Sequence, residues 1–356
     1  MAGLSLWWLL LIFVAAAAVI WVAGVQLSNQ TDVLSVRLRL GSALGGLILL
    51  AIATNLPEIA IVASAAVAGN LGVAVGNILG GIAIQTVVLV ALDAFGVRGK
   101  RPLTYRAASL VLVLEAALVV AVLAVVVAGS QLPDSLIALR LTPAPVLIAI
   151  LWVVGLLLLR RAGRALPWHE SGEAPDNQEP PRGHSQQRSE QQATAKGTST
   201  ARSATIFAVA AVATLVAGVV LERSGDAIAG HIGLSGVLFG ATILAAATSL
   251  PELSTGLTSV RNGDYQLAMS DIFGGNAFLP VLFLMATLLS GKAVLPQAQA
   301  SDIYLTAVGM LLTLVYAAGL LFRPARRIAG MGVDSLVVLV LYAVAVAGLF
   351  AIPNGG

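Results

Sequence analysis

Of the 356 residues, 58% are apolar and only 10% are charged, against about 25% charged in an ordinary soluble domain. That excludes a soluble globular enzyme, and a net charge of +3 over this length is no basic face for nucleic acid. With no cysteine and three histidines, thiolate chemistry and disulfides are excluded and a zinc site is disfavoured.

What remains is an all-α polytopic membrane protein bound by the lipid bilayer. A spanning helix needs roughly 20 apolar residues, and hydropathy predicts ten such helices. The first, at 4–24, has no basic leader region or small-residue cleavage site and reads as a retained helix. Trp7, Trp8 and Trp21 bracket it as interfacial anchors do. Helix 2 covers 36–68 and is broken. Helices 3, 4 and 5 follow at 71–95, 106–128 and 144–161. A stretch rich in Pro, Gln, Ser, Glu and Arg comes next, with almost nothing to bury. The second set lies at 203–222, 235–260 (also broken, helix 7), 264–290, 302–322 and 333–352. The predicted organisation is a first five-helix unit over 1–161, a disordered hydrophilic linker over 162–202, and a second five-helix unit over 203–356.

Basic residues orient this frame. With the N-terminus outside, 17 of the 20 Lys and Arg fall on the inner side, and only Arg140, Arg223 and Lys292 fall outside. Both termini are therefore expected outside, the linker cytoplasmic, and the location a cell (inner) membrane.

The chain repeats itself. Ala51-Ile-Ala-Thr-Asn-Leu-Pro-Glu58 aligns with Ala245-Ala-Ala-Thr-Ser-Leu-Pro-Glu252, and the register continues without a gap at an offset of 194. Gly69 meets Gly263, Ala74 meets Ala268, and Gly80-Gly81 meets Gly274-Gly275. Five helices separate equivalent points. Five is odd, so the second copy enters the membrane from the opposite side, as an inverted repeat of the kind secondary transporters use.

The chemistry lies at the start of each copy. Glu58 and Glu252 sit deep in apolar stretches, where a carboxylate is costly and marks a partner or a substrate. Pro57 and Pro251 precede them and free carbonyls near Ala53 and Ala247, which a bound cation can satisfy. Thr54 and Thr248 lie four residues before each Glu on the same helical face, and Asn55 and Ser249 add two more oxygens. A set made only of oxygen ligands suits hard cations: Ca²⁺, Na⁺, or H⁺ on the carboxylates themselves. Gly80, Gly81, Gly274 and Gly275 offer smooth faces for close packing against the break. Asn77 and Asp271 occupy equivalent positions as ligands, as groups that orient the glutamates, or as packing. Gln85 and Asn276 are further polar groups at depth. Glu115 is a lone acid in helix 4, open to a salt bridge or a proton relay; Asp93 reads as interfacial and His231 as a loop residue.

These paired motifs, Thr-Asn-Leu-Pro-Glu with Gly-Asn-Ile-Leu-Gly-Gly and Thr-Ser-Leu-Pro-Glu with Ser-Asp-Ile-Phe-Gly-Gly-Asn-Ala-Phe, resemble the two alpha-repeats of the calcium/cation antiporter superfamily, which includes sodium/calcium and calcium/proton exchangers. The resemblance implies cation exchange by alternating access, with Glu58 and Glu252 as central ligands and Thr54, Asn55, Thr248 and Ser249 beside them. It implies no cofactor beyond the transported ions and no enzymatic activity. Sodium/calcium exchangers usually carry Ser where this chain has Gly81 and Gly275, and Asn or Asp where it has Gln85 and Leu279. One acid and two hydroxyls of the family pattern are missing, which gives proton coupling more weight. The alternatives are a monovalent cation/proton antiporter and a channel-like or transport-dead relative.

Overall fold

The computed structural model describes residues 4–37, 52–163, 199–233 and 239–352. The chain is predominantly helical. We label α1 (Leu6–Arg37), α2 (Leu56–Ala68), α3 (Leu71–Ala91), α4 (Leu103–Ala107), α5 (Leu110–Ser130) and α6 (Pro143–Ala162). Then come α7 (Thr200–Ile232), α8 (Ala245–Thr248), α9 (Leu250–Asn262), α10 (Tyr265–Phe278), α11 (Leu282–Ser290) and α12 (Ala300–Phe322). A two-stranded hairpin, β1 (Arg327–Ile328) with β2 (Met331–Gly332), leads into α13 (Val333–Ala351). Among the described residues seven helical stretches are long and apolar enough to cross a membrane, and Leu56–Ala68 and Val333–Leu349 are shorter apolar helices.

Several boundaries differ from the hydropathy reading. The first predicted helix, 4–24, runs on to Arg37, and the sixth, 203–222, starts at Thr200 inside the predicted linker and ends only at Ile232. Hydropathy reports where the apolar solvent ends. A helix keeps its own hydrogen bonds and continues into water: 33 residues at about 1.5 Å each exceed the roughly 30 Å hydrocarbon core. His231 accordingly lies exposed in the last helical turn of α7, not in a loop. The predicted helix at 264–290 is interrupted at Leu279–Val281, where Pro280 tightens the backbone into a 3₁₀ turn. Helix 3 closes with a π-helical turn at Leu92–Gly96, and α4 is separate from the predicted helix at 106–128. The first part of predicted helix 2, up to residue 51, and residues 164–198 of the predicted linker lie outside the described residues.

Asp93 lies at a helix end, as the sequence suggests, and is fully buried there by protein. Its carboxylate accepts from Leu103 N at 2.9 Å, Gly332 N at 2.6 Å and Ser335 Oγ at 2.8 Å. It therefore ties the end of α3 to α4 and to the start of α13. Arg327 donates to the carbonyls of Asp93, Val97, Gly99 and Gly330, clamping the hairpin onto the same turn.

The 194-residue register is visible in the backbone. α2 and α9 have the same bounds at that offset, each with Pro second and Glu third, and α3 and α10 start at equivalent residues. Gly69 (φ 81°) and Gly263 (φ 91°) end the two short helices in the left-handed region, which glycine enters without Cβ strain. The long helices cross over: α7 packs on α2, and α1 on α9. A Cβ on Gly218 would stand 3.1 Å from the Pro57 carbonyl oxygen, and one on Gly24 only 2.6 Å from Pro251 Cβ. Gly24 and Gly218 are themselves 194 apart, so the register extends into helices whose sequences do not otherwise announce it.

Candidate cation site

Each half-helix begins after a short break in the backbone. Residues 52–54 and α8 are helical, Asn55 and Ser249 leave the helical conformation, and α2 and α9 resume with proline in their first turn. Proline suits that place because its missing N–H falls among donors without an intrahelical partner. Glu58 and Glu252 occupy the same first turns, where the helix dipole favours a negative charge.

The two carboxylates face one another across the bundle. Glu58 is fully buried and Glu252 is 1% exposed. Gln85 Nε2, from α3, lies 3.5 Å from Glu58 Oε1, 3.4 Å from Glu252 Oε1 and 3.5 Å from Asn55 Oδ1. A primary amide has two N–H donors, so three acceptors share them at long range. The two acid oxygens are thus separated by no more than the sum of their distances to that nitrogen, and the carboxylates act on each other electrostatically. Glu58 Oε2, Glu252 Oε2 and Gln85 Oε1 are buried without a hydrogen-bond partner. Buried acceptors with no donor are what a desolvated cation can satisfy.

The flanking oxygens are close by. Thr54, Asn55, Thr248 and Ser249 are all buried. Thr248 and Ser249 donate to Ala245 O at 3.1 and 2.8 Å, which leaves their lone pairs open as acceptors. Asp271 accepts from Thr255 Oγ1 at 3.2 Å and acts electrostatically on Glu252. Asn77, its counterpart, is fully buried with both amide atoms unpartnered. Asn276 turns elsewhere: its Nδ2 donates to Thr86 Oγ1 at 3.0 Å, tying α10 to α3.

The glycines divide by function. A Cβ on Gly275 would sit 3.1 Å from Asn55 Nδ2 and 3.4 Å from Gln85 Oε1; one on Gly81 would meet Leu279 Cδ1 at 3.6 Å. Each glycine thus faces the residue that the 194 offset pairs with its counterpart's neighbour. Leu279 is fully buried and fills the space opposite Gly81 with hydrocarbon. Gly80 is buried as well. The expected close packing does not extend to Gly274, where an added Cβ would meet nothing within 4 Å.

Sequence reasoning underrated Gln85 and missed Thr86, Thr255 and the Ser270–Glu115 pair. Gln85 and Thr86 were detectable as polar residues inside an apolar run, and Thr255 as the residue three beyond Glu252, on its face.

The family model described as sodium/calcium exchanger protein matches residues 8–166 and 202–351. The chain belongs to the sodium/calcium exchanger protein family. It is a membrane protein of cation antiport and not an enzyme. An Escherichia coli K12 inner membrane protein, YrbG, is 26% identical over 278 residues, 76% of each chain. The putative antiporter CaxA of Alkalimonas amylolytica is 33% identical over 114 residues, 32% of this chain and 36% of that protein, so the match spans about a third of that relative. Among solved structures, the H⁺/Ca²⁺ exchanger CAX superposes with a TM-score of 0.66 at 14% identity, covering 97% of this chain and 82% of that one. The sodium-calcium exchanger NCX_Mj, soaked with Na⁺ and Sr²⁺, gives 0.58 at 17%, covering 95% and 97%. At these identities the two structures establish the fold.

Proposed function

We propose that this exchanger moves Ca²⁺ or a related cation against Na⁺ or H⁺ by alternating access, with Glu58 and Glu252 binding the ions at mid-membrane. The observation that carries the reading is the convergence of two buried first-turn carboxylates on Gln85, each with one oxygen unpartnered. Ca²⁺ takes oxygen ligands at about 2.3–2.6 Å, so one ion bridges oxygens about 5 Å apart. Two carboxylates neutralise one Ca²⁺, two Na⁺ or two H⁺, and the Thr54, Asn55, Thr248 and Ser249 oxygens complete the donor set.

The frame we propose is ten helices in two inverted five-helix units, 1–161 and 203–356, joined by the linker 162–202. The matched bounds of α2 and α9 and the crossed Gly24–Pro251 and Gly218–Pro57 contacts support it. The bias of basic residues supports a cell-membrane protein with both termini outside and the linker cytoplasmic.

The test is calcium uptake into proteoliposomes under imposed Na⁺ or pH gradients. Glu58→Gln and Glu252→Gln should each stop uptake, and unchanged uptake in both rejects the site. One observation favours a second reading, a monovalent cation/proton antiporter: the position where the family pattern places an acid is Leu279, packed against Gly81. Dissipation of a pH gradient by Na⁺ or K⁺ and not by Ca²⁺ selects it. Acceleration by trans-side ion separates either exchanger from a channel.

A further inference from the structure

We propose that the loops following α3 and α12 form a docking site for the headgroup of an anionic phospholipid, whose phosphate lies against Arg101 and Arg323.

Two stretches of membrane-spanning length, Leu71–Gly96 and Ala300–Phe322, end next to each other. Arg323 Nη2 donates to Tyr105 O at 3.2 Å, and Arg327 Nη1 to Gly99 O at 2.8 Å. Phe95 and Phe322, at these ends, are exposed, so apolar surface open to acyl chains runs up to the charged loops. Beyond it come seven basic residues, Arg98, Lys100, Arg101, Arg106, Arg323, Arg326 and Arg327. The acids of the same segments, 93–106 and 322–335, are Asp93 and Asp334, both buried.

The basic residues divide into two kinds. Arg106 and Arg327 spend their donors inside the protein. Arg106 donates to Tyr265 OH and to the carbonyls of Arg98 and Arg101, and Arg327 to the carbonyls named for it above. They fold the two loops. Arg98, Lys100, Arg101 and Arg326 are exposed, and among the described residues no side-chain hydrogen bond or ion pair holds them.

The bias of basic residues toward one side of a membrane asks only for excess charge. It does not ask for two guanidinium groups on one ring. Arg101 and Arg323 both stack on Tyr105, with Cζ 4.6 and 4.4 Å from the ring centroid. This cation–π geometry fixes both groups and separates them by no more than the sum of those distances. Arg323 ends α12 at φ 47°, in the left-handed region where glycine is usual, and its Nε is buried without an acceptor. Planar guanidinium groups present paired donors that match phosphate oxygens. A headgroup phosphate supplies the acceptor, and its acyl chains continue over the exposed ends of the two spans.

The opposite end of the bundle carries no such cluster. At the 194 offset, positions 98–106 correspond to 292–300, where Lys292 alone is basic. α6 and α13 start at Pro143 and Val333; at that spacing 323–327 correspond to 133–137, which hold no basic residue. The repeated fold therefore does not require this charge.

The experiment mixes the full chain, purified in detergent, with micelles of phosphatidylglycerol and phosphatidylcholine and reads the retained lipid by native mass spectrometry. The unmodified chain should prefer phosphatidylglycerol, and added NaCl should weaken the preference. Arg101→Gln and Arg326→Gln should each lower it about fivefold, and both together about twentyfold, as expected for basic groups at a membrane surface. Neither side chain donates a hydrogen bond within the protein, so melting without lipid should stay unchanged. Arg160→Gln with Arg161→Gln, exposed at the end of α6, should keep the preference within about twofold. Equal losses from the two pairs reduce the site to a diffuse field and overturn it. Equal retention of the two lipids by the unmodified chain overturns it as well. Displacement of phosphatidylglycerol by equimolar inorganic phosphate does the same, because it assigns the arginines to a free anion.

Discussion

Helices α2 and α9 share their bounds, their Pro-Glu start and their left-handed glycine end, yet their side chains have diverged. Beyond Glu58, Ser64 is the one polar residue of α2; α9 carries Ser254, Thr255, Thr258, Ser259, Arg261 and Asn262. The surroundings differ in the same sense. Both halves carry a buried threonine four residues before the acid, Thr54 and Thr248; the first half adds the buried amides of Asn55, Asn77 and Gln85, and the second the hydroxyl of Ser249 and a further acid, Asp271. The backbone register brings two helix N-termini and two carboxylates together. The flanking groups make their surroundings unlike. In the proposed site an ion would sit between chemically distinct surroundings.

The strongest way to break that comparison is to remove either charge. If Glu58 and Glu252 contribute alike to the bound ion, each Gln variant should lose cation affinity by about a hundredfold, in line with about 3 kcal/mol or more for stripping a buried charge of its partner. Isothermal titration with Ca²⁺ checks this. A much larger loss at Glu252, beside Asp271, would place the ion in the second half. Next in size is Leu279→Asp, which supplies the acid missing from the second copy. An unpaired buried carboxylate costs several kcal/mol, so melting in detergent should drop without divalent ion and recover on adding Ca²⁺ by more than in the unmodified protein. No recovery would mean that Leu279 lies away from the ion.

The crossed glycines give a smaller effect. Gly24→Ala forces a Cβ to 2.6 Å from Pro251 Cβ, while Gly218→Ala brings one to 3.0 Å from Ala60 Cβ. Overpacking costs about 1–3 kcal/mol, offset by roughly 1 kcal/mol of helix propensity over glycine. Thermal unfolding should therefore show Gly24→Ala clearly destabilised and Gly218→Ala nearer to neutral.

The central acids were legible because proline and a buried carboxylate carry their meaning locally, and the repeat spelled them twice. Gln85 was harder to rank: an amide in an apolar run shows that it needs partners, but its partners lie on α2 and α9, as much as 167 residues away. The partners of Asp93 were hidden for the same reason. Its donors come from 10 to 242 residues distant, and hydropathy sees only the helix end. The missed extensions of α1 and α7 are a different failure, since polarity there describes the surrounding water and not the backbone.

The smallest effect tests why the second half is polar. Thr255 Oγ1 donates to Asp271 Oδ2 at 3.2 Å; the equivalent pair in the first half is Ile61 and Asn77, where no hydroxyl exists. Thr255→Val keeps the shape and makes the second half resemble the first. Losing one hydrogen bond to a charged acceptor costs about 1.5–3 kcal/mol when the acceptor stays dry, and nearer 1 kcal/mol when it finds another donor. Asp271 acts on Glu252, so an acid freed from Thr255 shifts the field at the ion. Calcium affinity in Thr255→Val should fall about fivefold, and Thr255→Ser, which keeps the hydroxyl, should stay near the unmodified value. Equal affinities for the Val and Ser variants would show that Asp271 is held by its other contacts, and that the polarity of α9 serves its exposed face and not the site.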